Sequence, residues 1–520
     1  MESAPDSGIT LAEVLAAFSL ATDLGLGQPM EHVLRSWWIA DQVGAHLGMD
    51  ERDRQELFYV ALLAWVGCVA DAPEVAATFG DDIAFRAASY EVDLTLLSAM
   101  RFFLGHAGSG SGLFQRSRIV ALILATGGNR VVRGLQQHCV STSAMADRLG
   151  LGREVGTALR QFFARWDGAG VPRGLRGADI ALSVRLFHLA DVVEVHARRG
   201  GAVAAVRVAR DRRGSQFDPY VVDAFCAVAQ EVLHRLAGTV DPYELIAAGP
   251  GLQRTLTDAE LDGALEVFAD FTDLRSVHRA GHSRLVADLA ASAAGELGLP
   301  ASDVAMVRRA GLLHDVGLHG VPATILDKPG ELSATEWERV RLSSYYTERV
   351  LGRPPQLARI GAIAALVHER MDGSGYHRGL AGPGIPVCGR VLAAACAYRS
   401  MLEPRAHRPA TAGSPAASVL RADARAGRLD ADAVDAVLAA AGAAGRRRTP
   451  GPAGLTARER EVLVLIARGS TTGEVASELG ISRKTAGTHI ERIYTKTGAS
   501  SRSTATLFAL RTGLLDPLGL

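Results

Sequence analysis

The chain has 520 residues, 48% of them hydrophobic, and its 56 basic residues balance 56 acidic ones. At roughly 150 residues per domain this length predicts three or four domains, and the apolar content excludes a disordered chain. Nearly all the basic residues are arginine, with lysine only at Lys328, Lys484 and Lys496, which reads as the compositional bias of a GC-rich bacterial genome. The five cysteines (Cys68, Cys139, Cys226, Cys388 and Cys396) are odd in number and form no CxxC pair, as expected of free thiols in a reducing cytoplasm. The N-terminal MESAPDSG is acidic and polar, unlike a signal peptide. The longest apolar runs, such as YVALLAWVGCVA, fall short of the ~18 residues of a membrane span. A soluble cytoplasmic protein without membrane contact is expected.

Along the chain, apolar residues recur at helical spacing and few stretches alternate like strands, so the fold class expected is all-α. HSRLVADLAASAAGELGL, for example, places Leu285, Val286, Leu289, Ala293 and Leu297 on one stripe. An internal repeat organises the first 442 residues. HVLRSWWIADQVGAHLGM from His32 parallels HSRLVADLAASAAGELGL from His282, and LLAWVG from Leu62 parallels LLHDVG from Leu312. WDGAGVPRGLRGADIALSVRLFHLAD from Trp166 parallels MDGSGYHRGLAGPGIPVCGRVLAAAC from Met371, and FDPYVVDAF parallels LDADAVDAV. Two related helical units follow, at 10–245 and 255–442, with AAGPGLQRTLTD as a linker between them. A hinge rich in Pro, Gly and Arg at 443–454 leads to a last domain at 455–520.

That last domain is basic: from Arg446 onward there are 12 basic and 6 acidic residues. A basic end on a neutral chain points to nucleic acid. Thr456 with Glu459, and Thr471 with Glu474, read as capping boxes, and Gly480 stops the second helix. Ser482 caps RKTAGTHIERIYTKTG, which turns Ala486, Ile490 and Ile493 inward and Lys484, Thr488, Glu491 and Arg492 outward. Two short helices around a Gly turn, the second with a polar outer face, describe a helix-turn-helix. The stretch from LTAREREVLVLIARG to SSRSTATLFA resembles the LuxR-type DNA-binding domain. The resemblance implies four helices, the third entering the major groove of double-stranded DNA and the fourth (TATLFALRTGLL) pairing two subunits of a homodimer. It implies phosphate contacts from Ser482, Lys484, Thr485, His489 and Lys496, and base contacts from Gly487, Thr488 and Glu491. Gly487 and Glu491 stand where many members carry basic residues.

The second unit resembles the HD-GYP branch of the HD phosphohydrolases, through HSRLV, LLHDVG, VHERMDGSGYHRGLAGPGIP and RVLAAACAYRSM. Working members hydrolyse cyclic di-GMP at a centre of two or three metals. The resemblance places His282, His314, Asp315, His368 and Cys396 at ligand positions, with Asp315 the catalytic residue if the unit is active. Ser343, Val367 and Cys396 replace a His, a His and an Asp of that pattern. Leu318 and His377 replace a Lys and a Pro. Valine has no lone pair, so a second metal is not expected; the remaining donors could hold one divalent ion, and a thiolate favours zinc. The alternative is an empty, inherited site in which His314–Asp315 is packed by hydrogen bonds and His368 touches Asp372 or Tyr376. In the first unit His32 and Asp191 occupy ligand positions, while Ala64–Trp65 and Phe162–Phe163 replace donors and are expected to fill the space. His138 and His188 read as core histidines.

Three readings follow. The first is a DNA-binding regulator with a sensory or dimerising body and a nucleotide as possible effector, needing no cofactor. The second is a metal-dependent phosphodiesterase coupled to DNA binding. The third is a scaffold. Ser343, Val367 and Cys396 argue against the second and leave the first and third open.

Overall fold

The computed structural model describes residues 8–93, 95–125, 129–237, 242–247, 249, 251–443, 455, 457–512 and 514–515. Among them only isolated bridges accompany the helices and no strand forms, so the protein is all-α. No single helix among them is long and apolar enough to cross a membrane. Two compact units result, Met1–Gly263 and Ala264–Leu520.

The principal helices of the first unit are α1 (Leu11–Gly25), α2 (His32–His46), α3 (Glu51–Leu63), α4 (Asn129–Arg148), α5 (Leu182–Asp211) and α6 (Pro219–Ala237). A capping box starts α1: Thr10 Oγ1 accepts from Glu13 N, and the Glu13 carboxylate accepts from Thr10 N. α5 bends at Gly200 and Gly201, whose backbone leaves the helical region. α2 packs on α3, α5 and α6, burying Val33, Trp37 and Ile39. The stretch expected as a linker is pinned to this unit. Leu256 N donates to Ile9 O (2.8 Å), Gln55 Nε2 donates to Gly251 O (2.6 Å), and Thr255 bridges to Thr10. Its backbone groups find partners in the protein where a free tether would leave them to water.

The second unit contains α7 (Asp258–Asp273), α8 (His282–Glu296), α9 (Ala301–Leu313), α10 (Ala334–Leu351), α11 (Pro355–Ala364), α12 (Val387–Leu402) and α13 (Ala431–Ala443). α8 packs on α9, α12 and α13. Its buried face is Val286, Ala287, Ala290, Ala293 and Ala294; the leucines of the expected stripe are only half-buried. Small side chains win this face because α9 comes close. A Cβ on Gly311 would lie 2.6 Å from Ala287 Cα.

The repeat is a structural one. His32 and His282 each open a helix behind a residue with left-handed backbone, Glu31 (φ 81°) and Gly281 (φ 77°). In each unit a buried aspartate of the preceding helix accepts the next N–H: Val33 N to Asp23 Oδ1 (3.1 Å) and Ser283 N to Asp273 Oδ2 (2.9 Å). A carboxylate at a helix N-terminus meets both the free N–H groups and the helix dipole.

The terminal helices are α14 (Ala457–Ala467), α15 (Thr472–Glu478), α16 (Arg483–Thr497) and α17 (Arg502–Arg511), packed around Val462, Leu463, Ile466, Val475, Ala486 and Ile493. The Thr471–Glu474 box, the Ser482 cap and the left-handed Gly480 (φ 61°) are all formed. Thr456 and most of the 443–454 hinge lie outside the described residues.

Close approach, not a special φ, requires glycine in LLHDVG. A Cβ on Gly317 would collide with the Ser343 carbonyl and lie 2.7 Å from Thr347 N. Gly317→Ala is expected to lower unfolding stability by at least about 1–3 kcal/mol, the cost of overpacking, read as a reduced urea midpoint.

Candidate metal centre and nucleic-acid interface

In the second unit three donors converge. His282, at the start of α8, His314, just after α9, and Cys396, within α12, bring ligand atoms to within 4.8 Å of one another, and all three are buried. His314 Nδ1 donates to Gly311 O (2.7 Å), which leaves Nε2 as the lone-pair nitrogen, 3.7 Å from Cys396 Sγ. His282 Nδ1 donates to the Glu403 carboxylate (2.7 Å), and its Nε2 is buried without a hydrogen-bond partner among the described residues. Both imidazoles thus aim a free lone pair into the cluster. Burial, reinforced by the charges of Arg279 and Arg405, drops His282 to about 4. Burial also holds His314 well below the usual histidine range and, with Arg370 and Arg279, drops His368 to about 3. All three rings are neutral at pH 7, the ligating form. Burial pushes the Cys396 thiol up, so only a bound cation would draw off its proton.

The remaining expected ligands are otherwise engaged. Asp315 lies 3.3 Å from His314 Nε2, but its Oδ2 is ion-paired with Arg279. His368 stands outside the trio and stacks on Tyr376, ring centroids 4.8 Å apart. Ser343 and Val367 are buried and add no ligand nitrogen. The donors therefore fit one ion, with the orphaned His282 Nε2 as the most direct sign. The Arg279 guanidinium lies on Asp315, beside these donors.

In the first unit the corresponding residues have closed on each other. His32 Nε2 contacts Asp191 Oδ1 at 3.1 Å, and Nδ1 contacts Glu194 Oε2 at 2.6 Å. Trp65 Nε1 donates to the same Asp191 oxygen (3.0 Å), and the Tyr90 hydroxyl reaches it at 3.4 Å. Burial opposes charge on His32, but these carboxylates raise it to about 10. His138 bonds the Ala64 carbonyl (2.7 Å) and Asp71 (3.4 Å), and His188 bonds the Phe162 carbonyl. His138 is buried, as expected of a core histidine, and with Cys68 and Asp71 brings three donors within reach of one ion; His188 is half-buried and lines a cavity. Trp65, Phe162 and Phe163 cluster edge to face, but they line a cavity and do not fill the space expected of them.

On the terminal domain, Ser482, Lys484, Thr485, Thr488, Glu491 and Arg492 are exposed along α16, while Gly487 and His489 are half-buried. Nothing lies within 4 Å of where a Gly487 side chain would begin. Lys484 makes no ion pair among the described residues. Lys496 is committed elsewhere: its Nζ donates to the buried Glu459 carboxylate (2.7 Å), a strut between α16 and α14. The expected pairing helix α17 and the turn after it rest Leu510 and Leu515 against Gly281, next to the first donor of the metal cluster.

Family models match twice: an HD domain over residues 266–433 and the luxR family of bacterial regulatory proteins over 453–509. A curated relative from Vibrio cholerae, 3'3'-cGAMP-specific phosphodiesterase 3, is 30% identical over 404 residues, spanning 77% of this chain and 88% of that protein. The chain belongs to the HD-GYP phosphodiesterase family. A cyclic di-GMP phosphodiesterase of Thermotoga maritima is 34% identical over 146 residues, 28% of this chain and 40% of that protein. A solved cyclic GMP-AMP-specific phosphodiesterase of V. cholerae superposes with a TM-score of 0.59 at 27% identity, covering 84% of this chain and 98% of that one. In this HD-GYP chain the LuxR-type domain follows the HD match, at residues 453–509.

Three residues of the sites escaped sequence reasoning, and for His138, read as a core histidine, its place in the repeat did. Arg279, Glu403 and Tyr90 act through long-range contacts with no local signature. His138 had one: it stands at the offset that pairs Phe162 with Val367, so the first unit retains a histidine where the second has Ser343.

Lys484→Ala is expected to weaken binding to all DNA sequences alike and to flatten the salt dependence of log affinity by about one unit. Lys496→Ala should lower the thermal midpoint of the chain and leave that slope unchanged; both follow from salt titrations with paired melting curves. His32, raised in the fold to about 10 from an ordinary 6.5, stabilises fully below pH 6.5 and loses that contribution as pH climbs towards 10. Urea midpoints should fall over that range, and His32→Gln should flatten the fall.

Proposed function

We propose that this protein is a DNA-binding regulator of transcription whose HD-GYP body senses and dimerises, and no longer carries out two-metal hydrolysis. The observation that carries this reading is Arg279. Its guanidinium pairs with Asp315 inside the donor cluster, where a second cation would have to sit. Like charges in one buried site repel strongly, and Ser343 and Val367 offer no ligand to offset that. His282, His314 and Cys396 would hold a single ion, zinc by preference because of the thiolate. Bound there, zinc would act as a Lewis acid towards an anionic effector of the nucleotide class.

The stretch Val277–His282 supports a link between this site and DNA. Toward the terminal domain, Val277 packs on Gly469, and Gly281 packs on Leu510 and Leu515. Toward the cluster, Arg279 holds Asp315, Arg405 Nη1 donates to His278 O (2.7 Å), and His282 is itself a donor. An effector that displaced Arg279 would strain the same six residues on which α17 rests. Pairing of two copies through α17, the LuxR-type mode, requires that face to be released.

A second reading, an active cyclic-dinucleotide phosphodiesterase, is favoured by the names of its relatives. It is also favoured by the Glu403–His282 bond, since working metal sites orient their histidines through a carboxylate.

Elemental analysis of purified protein is expected to return at most one ion per chain, zinc in excess over manganese and iron. 3'3'-cGAMP and cyclic di-GMP should show no turnover, while zinc should shift DNA affinity. Two tightly held ions with turnover of either dinucleotide would establish the second reading.

A further inference from the structure

The first unit closes His32 onto Asp191 and keeps a hollow beside them. A cavity of about 600 Å³ opens beside the closed His32–Asp191 pair, within the ~300–1,000 Å³ typical of small-molecule sites. One wall is aromatic. Trp65 and Phe162 meet edge to face at 4.8 Å, with Phe163 and Tyr90 alongside. Asp191, which also lines the cavity, has its carboxylate taken up by His32, Trp65 and Tyr90 and offers little to a cation.

The lining also carries three guanidinium groups, with Ser89, His188 and Gln216 as neutral polar neighbours. Arg165 is neutralised by Asp93 (2.8 Å) and Asp167 (3.0 Å). Arg212 is not. It is 6% exposed and donates only to neutral acceptors, Gln216 Oε1 (3.1 Å) and the Tyr90 carbonyl (3.3 Å). No carboxylate among the described residues lies within ion-pair distance of it. Buried guanidinium groups are ordinarily matched by an anion, because desolvation leaves their charge uncompensated. Arg173 lies exposed on the lining, also without an ion pair among the described residues. An aromatic lining together with a buried cation that no carboxylate contacts, Asp93 and Asp211 acting on it only from a distance, selects for a planar ring system carrying a negative group.

We propose that the cavity of the first unit binds an aromatic small molecule bearing one anionic group, its ring against Trp65 and Phe163 and its phosphate or carboxylate at Arg212 and Arg173. This site is separate from the donor cluster of the second unit and does not depend on whether that cluster holds metal or hydrolyses anything.

The test is calorimetric titration of the full chain with three probes: GMP, indole-3-acetate and uncharged indole. At least one of the two anionic probes is expected to bind about tenfold or more tightly than indole, and which of them does so separates a nucleotide from an aromatic acid. Arg173→Ala should weaken that probe by about tenfold, the scale of one charge-assisted contact. Ala169→Trp, which adds bulk to the exposed rim of the cavity, should abolish binding while circular dichroism and melting stay as in the parent. Failure of both anionic probes at millimolar concentration overturns the proposal. So does equal affinity for indole, or undiminished binding in a folded Ala169→Trp chain.

Discussion

Both units hang on one junction: a helix that begins with histidine, locked by a buried aspartate that accepts the N–H one residue further on. The junction fixes where the imidazole points and how close the helix carrying Asp191 or Cys396 can pack against it. Burial makes these aspartates costly to ionise, and they are raised to about 8 at Asp23 and about 7 at Asp273. The geometry survives because helix N–H groups, and in the second unit Ser283 Oγ, bond the carboxylates. Everything distinctive in either half is a different answer to what should face that histidine.

The two halves answer differently. In the second unit His282 faces another imidazole and a thiol, with a guanidinium on the neighbouring carboxylate, so the cluster remains open to one soft cation. In the first it faces carboxylates directly, and indole and phenol groups complete their hydrogen bonds. The second arrangement keeps lone pairs free; the first spends them. This is why the helix-opening histidine can serve a metal in one half and not in the other, although they share a fold.

Much of this was legible in the sequence, for reasons of range. The Thr471–Glu474 capping box, Gly480 and the outward face of α16 are written in residues three or four apart, and the structure forms them as read. The repeat was legible because paired motifs keep their order, LLAWVG with LLHDVG and WDGAG with MDGSG. What stayed hidden depends on partners tens of residues to more than a hundred residues away. Glu403 is orienting only because the chain returns it to His282, and Arg405 matters only because it reaches His278 O. Lys496, expected at phosphate, also bonds Glu459, 37 positions earlier, which no local pattern announces. Trp65, Phe162 and Phe163 announced lost donors; whether three large rings would plug a site or wall a hollow depends on packing that no motif encodes.

The closure of His32 onto Asp191 has a consequence for the living cell. A proton shared among acids and an imidazole now does the electrostatic work once assigned to a divalent cation in this fold. Protons are never scarce, whereas transition metals are rationed. The His32 pair needs no ion to close, so its geometry follows pH and not metal supply.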